Sequence, residues 1–357
     1  MHAEQNAPPH LCSSRAAMAS DLPFSSCHAL ICLVLFTVHC TVVPTSSAMD
    51  CDGDDRAALL RVKAQLGDPV QLSSWLPATN CCAWEPPAVF CSAAGRVTGL
   101  ALSSLDGVRA PVPPALGELP ELVILQVQSV RGLSGPIPPS FANLTRLEDL
   151  NIAGTSISGP VPDFLAGITT LRTIVIADGK LAGPIPGSLA RLPDLRYLDL
   201  SGNMLTGAIP PGLLHGSFRF LILANNRLTG EIPPDLGDDD VDTLDLSRNG
   251  LTGDPSPFLF GIAKRAAKID LSWNELEFDM TGVSFPHHLR FLDLSHNRIN
   301  GSVAKSLRDL RLDHFDVSYN GLCGEIPAGR FMELHGAECY GQNRCLCGTP
   351  LPPCIAV

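Results

Sequence analysis

The stretch Tyr197-Leu-Asp-Leu-Ser-Gly-Asn-Met-Leu-Thr-Gly-Ala-Ile-Pro210 holds the reading of the whole chain. Its first half alternates: Leu198 and Leu200 point one way, Tyr197, Asp199 and Ser201 the other, which is the periodicity of a strand with one apolar face. Its second half, Leu-x-Gly-x-Ile-Pro, permits positive φ at glycine and loses a backbone donor at proline. The chain therefore turns there into extended or short 3₁₀ backbone, with no long helix. The same wording returns along the chain. The first core residue of each copy falls at Leu100, Leu125, Leu150, Ile174, Leu198, Leu221, Leu244, Ile269, Leu292 and Phe315, in steps of 23 to 25 residues.

Self-similarity at this period is the mark of a leucine-rich repeat. One coil cannot bury its leucines alone, so coils stack, their strands join edge to edge, and a continuous apolar spine forms inside. The predicted fold is a leucine-rich-repeat solenoid of the α/β class. It is a right-handed superhelix with a curved parallel β-sheet on the concave face, 3₁₀ and extended segments on the convex face, and disulfide-stapled caps. Ten strands at about 4.8 Å span roughly 45–50 Å. Asn203, Asn226, Asn249, Asn274, Asn297 and Asn320 follow the strands and are read as structural, each amide bonding backbone groups that have no sheet partner. The first four copies carry Leu105, Val130, Thr155 and Gly179 there, which predicts an incomplete ladder toward the N-terminus.

The two ends differ from the middle. An apolar run from Ala29 to Val43, followed by Pro44 and the small residues Ser46, Ser47 and Ala48, has the outline of a secretory leader. At about 15 residues it is short for a membrane span, which needs about 20. Residues 1–48 are read as the signal peptide, with Met18 as an alternative start and an uncleaved anchor as the competing reading. Residues 49–96 form an N-terminal cysteine cap, 97–322 about ten repeats, and 323–357 a C-terminal cysteine cap. Asp52 to Gly67 reads as a helix with Asp52 or Asp54 as N-cap, Leu59, Val62 and Leu66 on one face, and Gly67 as stop. It would cover the open end of the spine. Of thirteen cysteines, nine follow the leader and cluster at the two ends, which in a secreted chain reads as disulfide staples. Zinc is the competing reading; the vicinal Cys81-Cys82 pair and an oxidising compartment argue against it.

The caps also carry a resemblance. Leu72-Ser-Ser-Trp-Leu-Pro77 followed by Cys81, Cys82 and Cys91, and the ending Asn343-Arg-Cys-Leu-Cys-Gly-Thr-Pro-Leu-Pro-Pro-Cys354, resemble the polygalacturonase-inhibiting proteins of plants. So do the irregular seventh and eighth copies, with Phe258-Leu-Phe-Gly261, Lys268-Ile-Asp-Leu271 and Phe278-Asp279. The resemblance covers nearly all of the chain after the leader and implies the pairs Cys51–Cys81, Cys82–Cys91, Cys323–Cys345 and Cys347–Cys354. Cys339 is left without an evident partner. The resemblance also implies a secreted protein of the cell wall or apoplast, with peripheral membrane association as a variant. Its implied partner is a fungal polygalacturonase, held on the concave face by residues of the middle strands. Some members bind pectin through basic residues, but a net charge of −11 would repel a polyanion unless positive charge were local, which argues against pectin here.

The candidate binding residues on that face are Thr173, Val175, Tyr197, Asp199, Ser201, Phe220, Ile222, Asp245, Lys268, Asp270 and Asp293. For any single aspartate the bland reading is that Leu-Asp-Leu-Ser is the wording of the repeat. Tyr197, Phe220, Ile222 and Val175 are harder to explain that way, since aromatic and apolar groups on a polar face are typical interface anchors. Asp238-Asp239-Asp240 reads as a solvated charge run. His215, His287, His288, His296, His314 and His335 have no catalytic or metal-ligand spacing, and no glycine-rich phosphate loop or basic cluster for nucleic acid is present. The reading is therefore no enzyme, no cofactor and no metal. Asn143-Leu-Thr145 and Asn300-Gly-Ser302 are glycosylation sequons. A signalling module that presents the same face to a peptide or receptor ectodomain, for example in floral organ development, is the alternative to the inhibitor.

Overall fold

A computed structural model of the chain describes residues 50–85, 88–213, 219–234, 241–261 and 264–355. The leader, His215 and the Asp238–Asp240 run lie outside the described residues. The ten residues that set the period, Leu100 to Phe315, are each 1% exposed or less. They form the spine, and burying such a side chain is worth about 1.5–3 kcal/mol.

Outside the spine the strands join in chain order. Among the described residues the concave face is an eleven-stranded sheet running from Val89–Cys91 through Val97–Ser103 to His314–Asp316. Its pairs are parallel except the first, where Val89–Cys91 runs antiparallel to Val97–Ser103 and closes the N-terminal edge. The Leu-x-Gly wording forms a second parallel sheet of eight strands, from Ala110–Pro111 to Glu275–Leu276. The sequence reading did not foresee this sheet, because strands of two to five residues, most of them ending in glycine, carry too little alternation to detect. After it the chain makes short 3₁₀ turns such as Pro139–Asn143, Asp163–Gly167 and Gly187–Arg191.

Each ladder asparagine commits its whole amide to backbone. Asn274 donates from Nδ2 to the carbonyls of Leu246, Leu271 and Ser272 at 3.0, 3.0 and 3.2 Å and accepts the Leu251 N–H at 3.0 Å, so it ties its own turn to the preceding coil. Asn203, Asn226, Asn249, Asn297 and Asn320 repeat the pattern. Asn343 extends it into the C-terminal cap, donating to Val317, Tyr340 and Gly341 and accepting the Leu322 N–H. The signal was legible, since Asn343 follows Asn320 at the repeat interval. In the first copies apolar Leu105 and Val130 are buried instead, and Thr155 Oγ1 accepts the Ile157 N–H at 3.3 Å. Gly179 lies so close to Asn203 that a Cβ would meet its Oδ1 at 2.9 Å. Pairing of the strands there runs two residues further, through Val127–Ile152–Ile176 and Gln128–Ala153–Ala177. Where the Gly-x-Ile-Pro wording fails in the seventh copy, Phe260 fills the space, its ring 4.8 Å from Phe285 and 6.0 Å from Phe278.

The N-terminal helix spans Gly53–Gln65, with Asp52 accepting the N–H groups of Asp54 and Asp55 and Gly67 leaving it at φ +81°. Asp54 and Asp55 lie at its positive end and Lys63 at its negative end. Asp55 is 1% exposed, a position a lone carboxylate could not hold. Arg96 donates to it from Nε and Nη2 at 2.9 and 2.8 Å, and Val97 N–H at 2.8 Å. Helix and sheet are thereby locked together. Among the described residues four disulfides join Cys51 to Cys81, Cys82 to Cys91, Cys323 to Cys345 and Cys347 to Cys354, two in each cap. The sulfurs of Cys51, Cys81 and Cys82 are close enough to suggest a metal site, but each is tied up in a disulfide. Cys339 is buried and free.

Asn274→Ala strands three carbonyls and one N–H at once, and is expected to lower stability by about 3 kcal/mol. A denaturant midpoint shift worth less than about 0.5 kcal/mol would show that the ladder is decorative. Alkylation of native protein that lacks residues 1–48 should leave Cys339 unlabelled, and a single label should appear once that chain is unfolded without reduction. Two or more labels under those conditions would contradict the cap pairing.

Candidate protein-binding face

Parallel strands in register stack equivalent positions, so the concave face is organised in columns along the solenoid. In the first column Thr173, Tyr197, Phe220, Thr243, Lys268, Phe291 and His314 follow one another, and in the second Val175, Asp199, Ile222, Asp245, Asp270, Asp293 and Asp316. Ten of the eleven candidate binding residues therefore lie in these two columns, and Ser201, two residues past Asp199, is bonded to it. Tyr197 and Phe220 are half-buried rather than fully exposed, because their rings pack on each other with centroids 5.2 Å apart. Ile222 and Val175 flank them in the next column. Toward the N-terminus the apolar character continues in Ile124 and Phe90, which are 41% and 59% exposed.

The aspartates have a structural duty. Asp199 Oδ1 accepts from Ser201 Oγ at 2.6 Å and from its N–H at 2.9 Å, and the same bond recurs at Asp245–Ser247, Asp270–Ser272 and Asp293–Ser295. This accounts for the Asp-x-Ser wording without any ligand. The rest of their surroundings differs. Asp245 Oδ2 lies 3.0 Å from Lys268 Nζ, which also sits over the Phe291 ring at 4.7 Å. Asp293 Oδ2 lies 3.1 Å from His314 Nε2, whose ring stacks on the same Phe291 at 4.1 Å. Asp270 lies between these two pairs, and among the described residues no cation is in ion-pair contact with it. Burial first, then the charges of Asp245 and Asp293, push its carboxyl up to about 7 against the favourable bonds from Ser272.

A further column was missed by the sequence reading. The residues just before four ladder asparagines, Arg248, Trp273, His296 and Tyr319, all adopt left-handed backbone with φ between 54° and 56° and stack on one another. The Arg248 guanidinium lies 5.1 Å over Trp273, and the ring pairs Trp273–His296 and His296–Tyr319 are 3.6 and 4.0 Å apart. Burial holds the His296 imidazole below its ordinary pKa. Their spacing of one repeat was visible, but not that a left-handed residue would turn its ring onto its neighbour. Asn143 and Asn300 are both exposed, the first in a 3₁₀ turn and the second bridged to Asp279, so neither belongs to a concave strand.

Fold and surface define a leucine-rich-repeat module that offers a patterned concave face. The family model for the leucine rich repeat N-terminal domain matches residues 52–92, and that for the leucine rich repeat matches 194–215, 217–238 and 288–310. A polygalacturonase inhibitor of Oryza sativa subsp. japonica is 51% identical over 323 residues, 90% of this chain and 96% of that protein. The leucine-rich repeat protein FLOR 1 of Arabidopsis thaliana is 43% identical over 325 residues, 90% of this chain and 98% of its own length. The chain belongs to the polygalacturonase-inhibitor family of leucine-rich-repeat proteins. Among solved structures a plant ice-binding protein superposes with a TM-score of 0.83 at 39% identity, over 87% of this chain and all of that one. No helix among the described residues is long and apolar enough to cross a membrane.

The raised Asp270 carboxyl links folding to pH. An unfolded aspartate titrates near 4, so between about pH 4 and 7 the folded chain holds a proton that the unfolded chain has released. Stability then falls as pH rises through that window. Asp270→Asn keeps an oxygen for Ser272 and removes the loss. The variant should gain unfolding temperature over the parent on going from pH 5 to pH 8, by a few degrees. An unchanged difference across that range would show that Asp270 titrates as an ordinary carboxylate.

Proposed function

We propose that the protein is a secreted inhibitor of fungal endopolygalacturonase in plant defence, which acts by covering the enzyme with the middle of its concave face. The observation that carries this reading is the apolar island of Val175, Tyr197, Phe220 and Ile222 set against a row of carboxylates. Apolar groups at the centre give affinity and the charges give orientation toward a basic surface. A standard interface takes about 800 Å² of each partner, and the middle strands offer a patch of that order. The reading includes removal of residues 1–48, an extracellular location, glycans at Asn143 and Asn300 away from the concave strands, and no catalytic role of its own. Family membership supports it, since relatives that match along nearly their whole length are named as inhibitors of polygalacturonase. The signalling alternative draws support from the similarity to FLOR 1, and a receptor ectodomain would meet the same face.

A reducing-sugar assay with a panel of fungal polygalacturonases, with and without the protein, separates the two readings. Within it, Phe220→Ala or Tyr197→Ala is expected to cost about 2 kcal/mol of binding, roughly 30-fold, through faster dissociation. Asp199, which is bonded to Ser201 and to no cation among the described residues, is a better steering charge than Asp245, whose charge Lys268 already balances. Asp199→Asn should slow association and flatten its dependence on salt. If correctly folded alanine variants inhibit as well as the parent, the binding surface lies elsewhere, on the convex side or a cap.

A further inference from the structure

We propose that Asp270 is a proton switch on the concave face: flanked by a carboxylate on either side, it holds a proton in the free protein and exchanges it for a lysine or arginine side chain of the bound partner. This rests on the inhibitor reading for the identity of the partner and deepens it by assigning a regulation to the face. The geometry is a row of four carboxylates on adjacent strands, Asp245, Asp270, Asp293 and Asp316, at the strand spacing of about 4.8 Å, with Asp270 inside the row. The basic side chains around the row are already committed. Lys268 pairs with Asp245 and covers Phe291, His314 pairs with Asp293, and Arg248 lies over Trp273, with His296 stacked behind it. Asp270 thus faces a carboxylate on either side. Both hydrogen bonds from Ser272 go to its Oδ1, and among the described residues none goes to Oδ2.

Oδ2 is the atom at which the row can take up positive charge. Without a partner, a proton there relieves the repulsion from both neighbours, in agreement with the raised carboxyl. An incoming ammonium or guanidinium relieves the same repulsion and favours the ionised form, so the proton leaves as the cation arrives. Binding of a basic surface then releases up to one proton per complex below neutrality. Affinity should rise with pH by at most about tenfold per unit there, and level off above pH 7.

Two measurements test this on the full mature chain. Carboxyl ¹³C NMR of the free protein, with Asp270→Asn for assignment, should place the Asp270 midpoint near neutrality. In Asp245→Asn, which removes one flanking charge and frees Lys268, the midpoint should move down by a unit or more. A parent midpoint near 4, or no movement in Asp245→Asn, overturns the switch. Calorimetry with an inhibited fungal polygalacturonase at pH 6, in two buffers of different ionisation enthalpy, should show about one more proton released by the parent than by Asp270→Asn. Equal proton counts overturn the exchange. If no polygalacturonase binds at any pH, it is the inhibitor reading that falls, and the NMR midpoint still decides the switch: near neutrality supports it and near 4 overturns it.

Discussion

From the fifth copy onward, each coil of this protein depends on an amide that it cannot replace with sheet or helix. A turn that leaves the concave strand and heads for the far side abandons carbonyls that have no regular partner, and burying them unpaired would cost more than a leucine contributes. Asn274 and its equivalents resolve this by donating to three carbonyls and accepting from the neighbouring coil. The ladder therefore does two things at once: it permits a tight coil, and it fixes one coil over the next. In these coils both let leucines spaced 23 to 25 residues apart meet as a spine, which the first four copies reach with strand pairing that runs two residues further.

Fixing the register has a consequence on the opposite side of the strands. Once coils are held in step, outward side chains fall into columns, and a residue's neighbours become the same position one repeat earlier and later. The chemistry of the face is then set by the order of residues down each column. A tyrosine beside a phenylalanine gives an apolar anchor, and lysine, phenylalanine and histidine in succession give a cation, a ring and a second ring. Carboxylate after carboxylate gives electrostatic strain that has to be relieved. The cost is small at Asp245, where Lys268 supplies a cation, and at Asp293, where a His314 ring nitrogen is within hydrogen-bond reach, and falls on Asp270.

This explains which parts were readable in advance. The period, the strand faces and six ladder asparagines follow from local wording, because each is decided within a few residues. Columns are also legible, since the step of the repeat gives the register. Lys268 on Asp245 was not read, although both were named, because which of two adjacent carboxylates a flexible side chain selects depends on rotamer and not on spacing. The stack from Arg248 to Tyr319 needs a left-handed residue before each asparagine, a conformation that non-glycine residues rarely adopt. The Asp55–Arg96 lock joins residues 41 apart with no repeat to connect them. The second sheet went unseen because its strands are too short to show alternation.

The face is consequently divided along its length. From Phe90 to Ile222 its outward positions are largely apolar or uncharged, with Asp149 and Asp199 as isolated charges. Beyond Asp245 nearly every position carries or opposes charge. These two regions respond differently to surroundings: apolar contact is indifferent to pH and to moderate salt, whereas a row of carboxylates is sensitive to both. A partner spanning the two would draw its grip from the first and its orientation from the second. Substitutions in the apolar region would then alter how long a complex lasts, while changes in the charged region alter which surfaces are admitted and under what conditions. The repeat makes that division easy to vary, because an outward residue can be exchanged without disturbing the leucines and asparagines that hold the coil.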